Sequence, residues 1–194
     1  PLFYDYGEGY FYQSLSKINL RGLRNTIFRK KELKLEKISQ DKNILDIGTN
    51  TGFLLMEMEN NFSEALGIDH NPSLIKIANI VKNFLKIQNI SFECKSIYDL
   101  ETTIKYDIIL SLANHSTFDE GIKDTKKYFS KILELIKPNG FLVLESHHPD
   151  YEDLDKFEKI YKEYLENFII LEEGVYSFNN YFDNKRKYFK FKFK

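Results

Sequence analysis

Short apolar runs alternate with segments of helical periodicity through most of this chain. Five runs have the length and pattern of strands: residues 43–47, 65–69, 106–111 and 141–145 are largely apolar, and residues 90–94 alternate apolar with polar side chains. The segments predicted as helices are residues 51–61, a helix that Asn71 caps and Pro72 opens, and residues 120–136, which Pro138, Asn139 and Gly140 end. Because parallel strands need a crossover connection, usually a helix, this alternation predicts a mostly parallel sheet with helices on both faces.

The last two strand-like runs follow one another without a helix between them. They are residues 168–171 and 188–193, and a helical segment over residues 151–166 precedes them. Strands joined without a crossover pair as antiparallel neighbours. The sequence therefore predicts an α/β fold in which one antiparallel strand is inserted at the edge of the sheet.

The segment before the first strand has a different character. Residues 1–12 are rich in Tyr and Phe and are expected to form an ordered loop, whereas the apolar spacing from residue 11 to residue 38 favours two helices separated by Gly22. We expect residues 1–40 to be an aromatic lid with helices, in the same domain as a core over residues 41–194. The alternative is that the aromatic residues pack on the edge of the sheet.

Charge and cysteine content exclude several classes of protein. The 194 residues include 28 basic and 29 acidic side chains, a net charge of −1, so general electrostatic attraction to nucleic acid or an anionic membrane is not expected. The single cysteine, Cys94, excludes an intramolecular disulfide and is expected in the core. The chain shows neither a bilayer-spanning apolar run nor a signal peptide, so we expect a cytoplasmic protein.

Two polar turns follow the first two predicted strands. The first carries Asp46, Gly48 and Gly52, and the second begins at Asp69. Glycines in such a turn let a ligand approach the backbone, and a carboxylate that ends the next strand can accept both hydroxyls of a ribose. The dinucleotide pattern G-x-G-x-x-G and the P-loop are both absent from the sequence. The alternative interpretation of the first turn is a plain tight turn.

The segments D-I-G-T-N-T-G (46–52) and G-I-D-H-N-P (67–72) resemble the class I S-adenosylmethionine-dependent methyltransferases. The resemblance covers residues 41–194. Within this family the chain resembles bacterial methyltransferases of small molecules and surface polysaccharides. Asn50 stands where the family usually has the middle one of three glycines. It implies a three-layer sandwich with a seven-stranded sheet of order 3-2-1-4-5-7-6, strand 7 antiparallel, an N-terminal helical cover, and S-adenosylmethionine as the cofactor.

The resemblance also implies which residues bind this cofactor. The methionine part is expected along the turn that begins at Asp46, the ribose hydroxyls at Asp69, and the adenine beside His70. Ser96 stands where many members have an Asp, so the adenine amino group is expected to meet Ser96 or the backbone of Ile97. The full implied set is Asp46, Gly48, Thr49, Asn50, Gly52, Phe53, Asp69, His70, Ser96, Ile97, Ser111 and Leu112, of which the last two are expected to face the methionine group.

Histidines in the loops after the fourth and fifth strands are the candidate catalytic residues. His115 and His147 are each predicted to act as a general base for a hydroxyl nucleophile, because imidazole titrates near neutral pH. The alternative is that they are loop histidines bonded to backbone or water. His147, His148, Glu145 and Asp150 would be a further possibility as a metal site, but their spacing matches no strong ligand pattern, so no metal is predicted.

The acceptor is expected to be a small molecule, namely a hydroxyl of a sugar or of a surface-polysaccharide precursor. Residues 112–115 lack the [ND]-P-P-[YF] segment that is common in methyltransferases of DNA bases and glutamine amides. The alternatives are a transfer RNA methyltransferase and a non-catalytic, methyltransferase-like module. We expect no DNA or membrane partner and a monomer or homodimer. The candidate substrate residues are Tyr10, Tyr12, Arg24, Asn114 and His148.

Two basic features have a structural alternative to ligand binding. Arg21, Arg24 and Arg29 could meet a phosphate or carboxylate, but the alternative is a solvated helical face. The basic residues of the C-terminal segment 185–194 alternate with aromatic residues. We favour a strand with its lysines outward over an RNA-binding surface.

Overall fold

The computed structural model describes residues 11–113, 125–145, 166–178 and 185–194. The chain divides into two compact units, Pro1–Lys95 and Ser96–Lys194. Within the described ranges, no helix is long and apolar enough to cross a membrane.

The first unit contains a three-stranded parallel sheet. Its strands are β3 (Asn43–Ile47), β4 (Glu64–Asp69) and β5 (Ile90–Cys94), in the order β5-β4-β3. Helix α3 (Phe53–Glu57) follows β3, and helix α4 (Pro72–Phe84) follows β4 and packs against β4 and β5. As predicted, α4 begins after Asn71, whose side chain accepts hydrogen bonds from the amides of Ser73 (3.0 Å) and Leu74 (3.4 Å).

A second, smaller sheet precedes this one and corrects the expectation for residues 11–24. Strands β1 (Phe11–Gln13) and β2 (Gly22–Arg24) pair in parallel, with a 3-10 helix at Ser16–Ile18 between them, and only then do the helices α1 (Thr26–Glu32) and α2 (Glu36–Ser39) begin. The prediction of a helix here was wrong because two three-residue strands are too short to show a strand period.

The described residues of the second unit form four strands. After a 3-10 helix at Ile97–Asp99 come β6 (Tyr106–Leu112), helix α5 (Thr125–Leu135), β7 (Ile136–Glu145), β8 (Phe168–Tyr176) and β9 (Arg186–Phe193). Their order is β6-β7-β9-β8, with β6 parallel to β7 and β9 antiparallel to both of its neighbours. If β3 is counted as strand 1 and β9 as strand 7, the first unit has the order 3-2-1 and the second unit has the order 4-5-7-6. These are the two halves of the expected order.

Burial explains which strands were easy to predict and which residue was misplaced. Ile44 and Leu45 of β3 and Ile108–Leu110 of β6 are fully buried, as continuous apolar runs indicate. Cys94, expected in the core, is exposed instead. It is the last residue of β5, which lies at the edge of the first unit's sheet.

Candidate functional site

The loop between β3 and α3 is built on left-handed backbone conformations. Gly48 and Gly52 each have a φ of +71°, and Asn50 between them has a φ of +57°. Asn is one of the few residues other than Gly that enter this region at low cost, because its short side chain bonds to the local backbone. Here its Oδ1 accepts from the amide of Thr51 at 2.8 Å. Asn50 therefore preserves the backbone shape that a middle glycine would give.

Backbone hydrogen bonds and one carboxylate hold this loop against β4. The amides of Gly48 and Thr49 both donate to the Ile68 carbonyl oxygen, each at 2.9 Å. Asp69, which ends β4, accepts from the Asn50 amide through Oδ2 and from the Asn71 amide through Oδ1, each at 2.9 Å. The turns after the two strands are thus joined through one side chain.

Both carboxylate oxygens of Asp69 accept hydrogen bonds from the backbone. Its side chain is 8% exposed, and an ionised carboxylate offers about four acceptor sites. His70 Nδ1 lies 3.9 Å from Asp69 Oδ1, and the His70 side chain is about half exposed. A carboxylate held by backbone amides beside a polar ring fits a ligand that presents two adjacent hydroxyls, as a ribose does.

Asp46 lies beneath the loop rather than on its surface. Its carboxyl is buried and accepts a hydrogen bond from Thr49 Oγ1 at 2.7 Å, and Thr49 is itself fully buried. The pKa of Asp46 is raised to about 7, chiefly by burial and to a smaller extent by the charge of Asp69, while the Thr49 hydrogen bond and the positive charge of Arg29 act in the opposite direction. The side chains of Asp46 and Thr49 therefore support the loop from inside.

The end of the loop is close-packed. A Cβ on Gly52 would lie 2.3 Å from two ring carbons of Phe92, so this position requires glycine on steric grounds as well as by its φ. Phe53, which opens α3, is fully buried, and its amide donates to Gln13 Oε1 at 3.0 Å. Sequence reasoning missed Gln13, because nothing in a local pattern connects it to a loop almost 40 residues later.

The candidates in the second unit have partners of their own. Ser96 Oγ accepts from the amide of Tyr98 at 3.2 Å and so caps the 3-10 helix in which Ile97 is fully buried. Ser111 Oγ and Tyr128 OH are 2.7 Å apart, and both side chains are buried. Leu112 is also buried.

A buried ionic cluster in the second unit was not anticipated. Glu145, at the end of β7, accepts from Tyr176 OH at 2.5 Å and lies 3.5 Å from Arg186 Nη1, with both charged side chains almost completely buried. Lys190 is buried as well and bonds to Glu172 at 3.0 Å. The expectation that the basic residues of this strand point outward was wrong for these two. In the part of the chain that the structure describes, no cluster of His, Cys, Asp or Glu could hold a metal.

The arginines near the N-terminus are not a uniformly solvated face. Arg24 and Arg29 are buried, and Arg24 lies over the Tyr12 ring at 5.4 Å from its centroid, whereas Arg21 is exposed. The other predicted acceptor and catalytic residues lie outside the described ranges: Tyr10, Asn114, His115, His147 and His148.

Comparisons with known proteins place these features in context. A family model described as a methyltransferase domain matches residues 38–185. The chain is 28% identical over 143 residues to the EEF1A lysine methyltransferase 2 of Homo sapiens, an alignment that covers 71% of this chain and 58% of the relative. It is 26% identical over 185 residues to the release factor glutamine methyltransferase of Fusobacterium nucleatum, covering 80% of this chain and 52% of the relative. The chain thus spans little more than half the length of these relatives.

A solved structure shows the fold. The N-methyltransferase NodS from Bradyrhizobium japonicum WM9, in complex with S-adenosyl-L-homocysteine, matches with a TM-score of 0.71 at 17% identity and covers 86% of each chain. The expected fold is confirmed: an α/β Rossmann-like fold with a seven-stranded mixed sheet and antiparallel C-terminal strands.

Proposed function

This chain belongs to the methyltransferase-domain family, within the class I S-adenosylmethionine-dependent methyltransferases, and on that premise we propose that it transfers a methyl group from S-adenosylmethionine to a hydroxyl of a small acceptor. The observation that carries the cofactor part is the junction of the left-handed β3–α3 loop with the Asp69 carboxylate. The acceptor we propose is a sugar or a precursor of a surface polysaccharide.

The described residues fit the cofactor's chemical groups. We assign the ribose hydroxyls to Asp69, the adenine to the neighbourhood of His70, and the methionine part to the backbone of Gly48, Thr49 and Asn50. Asp46 supports that backbone through Thr49. Gly52, Phe53, Ser96, Ile97, Ser111 and Leu112 stay predictions of the cofactor-binding set.

Two features of the chain support a small acceptor. The sequence between β7 and β8, residues 146–167, is too short to contain an inserted recognition domain. The burial of Arg186 and Lys190 removes two cations from the C-terminal basic segment, which makes an RNA-binding surface there less favourable. We therefore prefer a small molecule to transfer RNA.

One comparison favours a second candidate. The similarity to a lysine methyltransferase extends over 71% of this chain. A lysine amine of a protein is therefore the second acceptor class to test.

Titration calorimetry with S-adenosylmethionine and S-adenosylhomocysteine tests the cofactor assignment. Both should bind, whereas NAD should not. We expect Asp69→Asn to weaken binding roughly tenfold or more, because the amide loses charge-assisted acceptor bonds and presents a donor to ribose hydroxyls. Glu64→Gln is the matched control, since Glu64 is exposed at the other end of the same strand. Equal affinity of wild type and Asp69→Asn would refute the ribose assignment.

Formation of S-adenosylhomocysteine with panels of sugars, nucleotide sugars, lysine peptides and transfer RNA tests the acceptor. For a hydroxyl acceptor, we propose that His115 or His147 is the base. Replacing the true base by Asn should lower kcat by about 10²-fold with little change in cofactor affinity, and the wild-type rate should rise with pH through about 6–7. Normal turnover in both variants would refute a histidine base. Binding of cofactor without turnover on any panel would favour a non-catalytic module.

A further inference from the structure

Residues 11–24 form an N-terminal arm that contacts the β3–α3 loop, called the cofactor loop below, through one buried side chain. Gln13 is 5% exposed although its side chain is polar. Its Oε1 accepts from the Phe53 amide at 3.0 Å and lies 3.5 Å from Thr51 Oγ1, and its Nε2 donates to the Thr49 carbonyl oxygen at 3.4 Å. One amide group therefore contacts polar atoms of three residues at the junction of β3 and α3, namely Thr49, Thr51 and Phe53.

The Gln13 side chain supplies a cap that α3 otherwise lacks. The residue before the helix is Gly52, which has no side chain to accept a hydrogen bond from the first amides of the helix. In most helices a Ser, Thr, Asp or Asn at this position does so. Here Gln13 Oε1 accepts from the first helical amide, that of Phe53, from a distant point in the sequence.

The arm also holds the other end of α3. Ser16 Oγ donates to Glu57 Oε2 at 2.9 Å, and the Ser16 amide donates to the other oxygen of the same carboxylate. The rings of Phe11 and Phe53 pack with their centroids 5.8 Å apart. The arm thus contacts both the beginning and the end of a short helix whose first residue closes the cofactor loop.

The position of Gln13 depends on a close approach of β1 and β2. A Cβ on Gly22 would lie 2.3 Å from the Gln13 carbonyl carbon and 2.4 Å from its oxygen. Any side chain at residue 22 must therefore push β1 away from β2. This gives a way to move Gln13 without changing the loop or Gln13 itself.

We propose that Gln13 is a positioning residue for cofactor binding: it caps α3 and fixes the Thr49 carbonyl, and so holds the β3–α3 loop in the conformation that receives S-adenosylmethionine. The inference rests on the proposed role of that loop in the cofactor site. By linkage, a bound cofactor should in turn stabilise the docked arm.

Calorimetry with S-adenosylhomocysteine on the full chain tests this. Gln13→Ala leaves the buried Phe53 amide without its acceptor, so we expect affinity to fall about tenfold. Ser16→Ala is the matched control, because it removes a contact of the same arm at the other end of α3, away from the loop. We expect it to lower the melting temperature but to change affinity less than about twofold.

Gln13→Glu separates positioning from general stability. A glutamic acid in its neutral form keeps an acceptor for Phe53 and a donor for Thr49, whereas the ionised form has no donor and faces the Thr49 carbonyl oxygen. We expect the affinity of Gln13→Glu to approach that of wild type at pH 5.5 and to fall below it as the pH rises to 8. This comparison remains available if Gln13→Ala does not fold.

A double-mutant cycle gives the second test. Because Gly22→Ala should displace the same amide, it should weaken binding on its own but add little to Gln13→Ala. Wild-type affinity of Gln13→Ala and a pH-independent Gln13→Glu would overturn the proposal, as would an equal loss of affinity in Ser16→Ala. Asp69→Asn, measured alongside, separates the two levels: if it too binds like wild type, the cofactor site itself has been misassigned.

Discussion

The buried carboxyl of Asp46 should make the stability of this protein depend on pH in a direction opposite to that of most acidic groups. The carboxyl is 3% exposed, and desolvation raises its pKa from 3.8 to about 7. Asp46→Asn removes this titration while keeping an oxygen that can accept from Thr49 Oγ1. Comparing the two proteins across pH therefore isolates the ionisation of one group.

The sign and size follow from linkage. Between pH 3.8 and about 7 the native protein holds a proton on Asp46 that the unfolded chain has released, so the free energy of unfolding falls as pH rises across that window. The slope approaches 1.4 kcal/mol per pH unit, and the total has an upper limit of about 4 kcal/mol. Asp46→Asn also loses the attraction between the carboxylate and Arg29, which reduces the variant's gain in free energy of unfolding. We therefore expect Asp46→Asn to be about 2 kcal/mol more stable than wild type at pH 8.

Urea unfolding at pH 5, 6, 7 and 8 measures this difference. The advantage of Asp46→Asn should grow with each step from pH 5 to pH 7 and then level off. The exposed Glu64 provides the control, since Glu64→Gln makes the same chemical change without burial. A difference between Asp46→Asn and wild type that does not vary with pH would refute the reasoning, because a purely structural effect has no reason to follow protonation.

Two further predictions concern backbone shape and the buried ion pair. Asn50→Gly should change stability by less than about 1 kcal/mol, since relief of the left-handed conformation offsets loss of the bond to the next amide, whereas Asn50→Val should cost about 1–2 kcal/mol in urea unfolding. Arg186→Met leaves Glu145 buried without the Arg186 cation and should lower the free energy of unfolding by about 3–5 kcal/mol. Adding Glu145→Gln should recover part of that loss. If the effects of the two single substitutions simply add, the two residues are not a coupled pair.

The parts of the fold that the sequence predicts best are those fixed by local chemistry. Strands 43–47 and 90–94 were predicted to the residue, because the first is a short apolar run ended by Gly48 and the second alternates apolar with polar residues. The loop after β3 was recognisable from its acid and glycines, since left-handed positions restrict the choice of residue. The helix after it was predicted over 51–61, but α3 ends at Glu57 and a 3-10 turn at Glu59–Asn61 replaces its last part.

The N-terminal arm could not be predicted because its structure depends on distant partners. Each of its two strands has only three residues, and their pairing requires the backbone contact that Gly22 permits. Gln13 has no sequence neighbour that explains its burial, since the groups it bonds to lie in the loop after β3. Local periodicity contains no information about such contacts, so apolar spacing alone suggested helices.

The C-terminal strand shows the opposite limit: the local pattern predicted the strand, but the expectation that its cations are exposed was wrong for Arg186 and Lys190. Alternation of lysines and aromatic residues suggested an exposed polar face, which suits a strand at the edge of a sheet. In the structure β9 pairs with β7 on one side and β8 on the other, and Glu172 of β8 lies directly opposite Lys190 in the register. A cation that is buried on an interior strand needs an acid beside it, as Arg186 and Lys190 do. The fold's strand order, with the last strand between the two before it, therefore already required partners for Arg186 and Lys190, and Glu145 and Glu172 supply them.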